Sequence, residues 1–130
     1  MEMSGVKENR TMQDELLDKL EDMGAEVDDV LDRLMGDEEL YMEYLKKLPD
    51  NENIVKLKEA VANKDAEQAS MEVHTLKGVA LNLGILPLVD VCMDMLLDFR
   101  GGEPESAMAR MGEVEDCFNE WASVIRQYED

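Results

Sequence analysis

An all-α fold, an antiparallel up-down helix bundle with additional short N-terminal helices, is predicted by three features of this 130-residue sequence. Apolar residues keep helical spacing from Met12 to Tyr128, no segment alternates with period two, and Gly or Pro interrupts the pattern at short intervals. Short turns between periodic segments favour antiparallel neighbours, whereas a long coiled coil needs one unbroken pattern. The chain divides into residues 1–10, an aperiodic stretch read as a mobile leader, residues 11–35, the N-terminal helices, and residues 36–130, the bundle.

Leu16, Leu20 and Met23 form a stripe that stops at Gly24, and Val27, Val30, Leu31 and Leu34 form another that stops at Gly36. Glycine suits both ends, where a left-handed residue terminates a helix. Asp37 can cap a third helix, Glu38 to Leu48, with Leu40, Tyr41, Tyr44, Leu45 and Leu48 on its buried side, until Pro49 and a polar run break it. Asn53 opens a short helix through Ile54, Leu57 and Val61. Asp65 with Gln68 matches a capping-box pattern ahead of Ala66, Ala69, Val73, Leu76, Ala80 and Leu83, which recur at spacings of 3, 4, 3, 4 and 3 up to Gly84. The next helix starts at Leu86 or Pro87, buries Val89, Cys92, Leu96 and Phe99, and closes at Gly101-Gly102. The last is expected to run unbroken from Pro104 through Ala107, Met111, Val114, Phe118, Trp121, Ile125 and Tyr128.

Charge and composition exclude several kinds of function. The chain carries 32 acidic and 13 basic residues, a formal net charge of −19, but its 45% hydrophobic content is enough to fold. Neutralising phosphates takes clustered Lys and Arg, and the densest basic runs are only Lys46-Lys47 and Lys56-x-Lys58, so neither nucleic acid nor an anionic membrane is an expected partner. No apolar run approaches the ~20 residues of a membrane span and no signal core opens the chain, which points to the cytoplasm. Cys92 and Cys117 occupy core-like positions and read as free thiols, and one His with two isolated Cys offers no metal-ligand spacing. Imidazole chemistry therefore has a single possible location, His74.

Taking Val73 as zero, helical rotation puts His74 at about 100°, outside the apolar stripe, with Lys77 near ~40°, Ser70 near ~60°, Leu81 near ~80°, Gly78 near ~140°, Met71 near ~160° and Asn82 near ~180°. Glycine within a helix costs about 1 kcal/mol relative to Ala, so Gly78 calls for a reason; it opens the surface beside the imidazole to another backbone. Lys77 puts an ammonium within reach of an anion on the ring, and is the sole basic residue between Asp65 and Phe99, a span with six acids. An exposed imidazole is nucleophilic when neutral. The grouping describes a phosphorylatable histidine with a charge partner and a docking surface.

The stretch His74-Thr75-Leu76-Lys77-Gly78-Val79-Ala80-Leu81-Asn82-Leu83-Gly84 resembles the signature of histidine phosphotransfer (HPt) domains, His-x-Leu-Lys-Gly followed by Asn-Leu-Gly. The resemblance extends weakly over Gly36 to Tyr128. It implies a four-helix bundle that takes a phosphoryl group on His74 from a receiver domain's aspartyl phosphate and passes it to another receiver. By the same resemblance, Lys77 stabilises the phosphoryl charge, while Gly78 gives the receiver access beside Ser70, Met71 and Leu81. Leu81 departs from the smaller residues common in the family and enlarges the apolar patch. The implied partners are response-regulator receivers, including that of a hybrid histidine kinase. No cofactor is implied for this chain, since Mg²⁺ belongs to the receiver; a monomer is expected.

Two other readings compete. A sensor kinase's phosphoacceptor piece carries His-Glu, a basic residue and a nearby Pro, whereas here Thr75 follows His74, no Pro comes after it until Pro87, and no Gly-rich ATP-binding segment is present. A non-transferring helical adaptor would bind a signalling partner through Met71, His74 and Leu81; the presence of both His74 and Lys77 weighs against it.

Overall fold

Thr11 opens the first helix of the computed structural model, which describes residues 11–128. Its hydroxyl accepts the Asp14 N–H at 3.1 Å while the Asp14 carboxylate accepts the Thr11 N–H at 3.4 Å, a reciprocal capping box that the sequence reading missed. Helix α1 (Met12–Met23) ends on Gly24 at φ +115°, in the left-handed region expected of a terminator. Then follow α2 (Val27–Arg33), α3 (Glu38–Lys47) capped by the Asp37 side chain, and a 3-10 turn, Leu48–Asp50. The larger helices are α4 (Glu52–Ala62), α5 (Ala66–Leu83) and α6 (Leu86–Arg100); α7 (Pro104–Ala109) and α8 (Met111–Gln127) complete the described chain. Among the described residues no strand forms. The leader assigned to residues 1–10 lies outside them.

Helix α5 packs between α4 and α6, and α8 closes the bundle by packing on both α6 and α4. The interior is filled by the stripe the sequence marked, Val73, Leu76 and Ala80 of α5, against Leu57, Leu88, Cys92, Val114 and Trp121, all buried. Glu72 is also buried, and its carboxylate is held by amide donors from Gln68 and Asn53, the latter at 2.8 Å. That pairing offsets the desolvation of the acid. It also explains a difference from expectation: Asn51, not Asn53, caps α4 by accepting the Ile54 N–H at 3.0 Å, because the Asn53 amide is turned inward to Glu72.

The N-terminal helices are clasped to the far end of α5. Buried Tyr41 donates its hydroxyl to the Leu83 carbonyl at 2.7 Å, the Glu26 N–H reaches the Gly84 carbonyl at 2.9 Å, and an isolated antiparallel bridge joins Ala25 to Ile85. Burial pushes the Tyr41 phenol up to about 12, with Arg33 opposing in part. Gly84 terminates α5 at φ +73° as expected, and it is also crowded: a Cβ there would lie 2.7 Å from Val30 Cγ2 and 3.2 Å from the Glu26 carbonyl oxygen.

Two further expectations need correction. Tyr44 is not on a buried face; it is 41% exposed, because its side of α3 looks across a groove, and Met42 is buried with Tyr41 and Leu45 instead. The last helix is also not continuous. Asp98 accepts the Ser106 hydroxyl at 2.9 Å and Arg110 Nε at 2.8 Å, binding α7 to α6, and Arg110 becomes the junction before α8. The hydrogen bonds from Arg110 and Ser106 hold the Asp98 carboxyl below the usual range.

Candidate functional site

Eighteen residues make α5 long enough to have two distinct faces. Ala69, Val73, Leu76, Ala80 and Leu83 are buried, and on the other side His74, Thr75, Met71, Leu81 and Asn82 are exposed, with Ser70, Lys77 and Gly78 half-buried. The sequence-predicted site residues His74, Lys77, Gly78, Ser70, Met71 and Leu81 therefore share one outer surface of a single rigid element. Met71 is 60% and Leu81 45% exposed, placing apolar side chains one turn before and two turns after the imidazole. Thr75 does not compete for that space, because its hydroxyl bonds back to the Met71 carbonyl at 3.1 Å.

A Cβ built on Gly78 would meet nothing within 4 Å, so no helix of this chain needs a glycine there for packing. Its backbone is ordinary α-helix, so no special dihedral needs one either. Gly78 leaves a bare strip of helix one turn from His74. Among the described residues, no hydrogen bond forms to the imidazole and no ion pair to the Lys77 ammonium. Both groups are open to an incoming anion. Burial pushes the Cys92 thiol on α6 up to about 12, a rise that the Lys77 charge opposes in part. Burial also raises the half-buried Cys117 thiol. Neither is a thiolate nucleophile near neutral pH.

A groove of about 490 Å³ opens beside this surface, between α2, α3 and α5, with Arg33, Tyr44, Lys47, Val79 and Asn82 among its lining residues. The Arg33 guanidinium donates to the Leu81 carbonyl at 3.3 Å, tying α2 to the last turns of the His74 helix. Sequence reasoning missed this feature. One signal was present: Arg33 is the sole basic residue between Lys19 and Lys46. Among the described residues no group of three or more His, Cys, Asp or Glu could hold a metal ion, and no helix is long and apolar enough to cross a membrane.

The family model described as "Hpt domain" matches residues 10–124, a span that includes α1 and α2 as well as the helices of the bundle. No curated protein and no solved structure matches the chain.

Proposed function

The chain belongs to the Hpt domain family, whose members are phosphocarrier modules of two-component phosphorelays rather than kinases and interact with receiver domains; on that premise we propose that His74 carries the phosphoryl group. The observation that carries this reading is an exposed imidazole one turn from Gly78, whose missing side chain opens onto empty space. A helix glycine with no role inside its own chain is best explained by what approaches from outside.

The phosphoryl group arrives on a receiver aspartate. The unprotonated ring nitrogen of His74 supplies the electron pair of the new N–P bond, while the acyl O–P bond breaks and its electrons leave with the receiver carboxylate. Return of the group to a second receiver reverses these steps. Little covalent work is asked of this chain, so its contribution is position and charge: α5 fixes the imidazole, Lys77 offsets the phosphoryl charge, and Gly78 admits the receiver backbone. Ser70, Met71 and Leu81 form the rest of the contact. The receiver supplies Mg²⁺ and acids, and this chain supplies neither nucleotide nor metal.

A phosphorylated receiver should label the protein at His74 with an acid-labile, base-tolerant phosphoramidate, and His74→Gln should take no label. Equal labelling of that variant overturns the assignment. Labelled ATP alone should give nothing; labelling by ATP would instead indicate kinase activity. In the same assay Lys77→Ala should transfer more slowly or lose the phosphoryl group sooner, and unchanged kinetics would return Lys77 to an ordinary surface lysine.

A further inference from the structure

We infer that the groove between α2, α3 and α5 is a second receiver contact, a socket for an apolar side chain flanked by a carboxylate, and that Arg33, Tyr44 and Lys47 help to choose among receivers. This rests on the carrier reading of His74. Three observations support it.

The first is charge. Asp and Glu make up 32 of the 130 residues, yet no acid lines this groove, whose charged lining residues are Arg33 and Lys47. The groove between α1 and α2 shows the opposite character, with Asp14, Asp18, Glu21, Asp28 and Glu38 along it. In a chain of net charge −19, Arg33 and Lys47 form no ion pair with a described residue, and a carboxylate from a partner would supply one. The second is shape: Val30, Leu34 and Val79 give apolar walls and half-exposed Tyr44 gives an aromatic rim, a combination suited to one apolar side chain with a polar neighbour.

The third is reach. Asn82 lies about 12 Å along the helix axis from His74 at ~1.5 Å per residue. A typical partner footprint of about 800 Å² has a radius of roughly 16 Å, so a receiver centred on His74 reaches the groove at its Asn82 edge. Gly78, with no side chain, lies between His74 and Asn82 on the same outer side of α5. A second copy of this chain is the weaker occupant, since two bodies of charge −19 repel.

The test measures transfer to the full chain from each phosphorylated receiver of the same cell, using wild type, the Arg33→Glu/Lys47→Glu double variant and Tyr44→Ala. Helicity and melting of each variant are checked first. For receivers that label the wild type well, the double variant should raise KM about tenfold or more with kcat within about twofold, a loss that shrinks at high salt. Tyr44→Ala should raise KM less. Direct labelling of His74 by phosphoramidate, a small chemical donor, should be unchanged in both.

Unchanged KM for every receiver overturns the groove assignment while leaving the carrier reading intact. Impaired phosphoramidate labelling also overturns it, by showing damage to the His74 site. A wild-type dimer that the variants dissolve would assign the groove to a second copy. If no receiver labels the wild type, it is the carrier reading that fails, and the groove assignment falls with it.

Discussion

Gly78 and Gly84 belong to one helix and its cap, but their surroundings are opposite. Gly84 sits in the left-handed region with Val30 and the Glu26 backbone pressed against the place a Cβ would occupy. Gly78 has ordinary helical backbone and open space. The fold explains Gly84 completely: it ends α5 and lets α2 close over that end. The fold gives no reason for Gly78, which is why we assign it to a partner that approaches α5 from outside. Beside Gly84 the surface is sealed by Tyr41, Glu26 and Ala25; beside Gly78 it is left open around His74.

Substitutions can break or sharpen this contrast. The largest expected effect is at the sealed end. Gly84→Ala forces a non-glycine residue into the left-handed region and drives its Cβ into Val30 and the Glu26 carbonyl, so unfolding stability should fall by about 2–4 kcal/mol. Denaturant titration checks it, and a loss below about 1 kcal/mol would mean that α2 is free to move away.

At the open end the expected effect is smaller and appears in a different measurement. Gly78→Leu should keep or raise stability by about 0.5–1 kcal/mol, because glycine is the poorer helix former, yet slow transfer from a receiver by about tenfold. If the bundle loses stability instead, Gly78 is a packing residue and the contrast disappears.

The smallest expected effect is at Tyr41, which belongs to the seal. Tyr41→Phe leaves the Leu83 carbonyl without its donor and should cost about 1 kcal/mol near neutral pH. Tyr41 also gives a pH signature. Its phenol is pushed up to about 12 from an ordinary 10, so the folded state holds the proton more tightly than the unfolded state does. Its contribution is fully present below pH 10 and is lost as pH rises through 12. The wild type should lose stability more steeply than Tyr41→Phe across that window; parallel curves would show that the phenol is not buried in solution.

Much of this was legible in the sequence. The stripe Ala69, Val73, Leu76, Ala80 and Leu83 identified the buried face of α5, and the same rotation put His74, Lys77, Gly78, Met71 and Leu81 on the other side. Gly24 and Gly84 marked helix ends because a left-handed terminator leaves a local trace. Other features left none. Tyr44 fits the apolar period of α3 as well as Tyr41 does, and only the position of α2 and α5 decides that one lines a groove while the other is buried. The break at Arg110 is hidden by a perfect heptad-like pattern, and the partner of Arg110 at that junction, Asp98, lies on a different helix.

By itself, then, the sequence determined most of the helices, the buried face of α5 and the residues that share its outer face with His74, because each depends on residues within a few positions of one another along a regular helix. Tertiary structure decided which of two similar glycines is sealed and which is open, and where Arg33, Tyr44 and Lys47 meet α5. Those outcomes rest on contacts between distant segments, Tyr41 with Leu83, Arg33 with Leu81 and Ala25 with Ile85, and no local periodicity encodes which helix will lie against which.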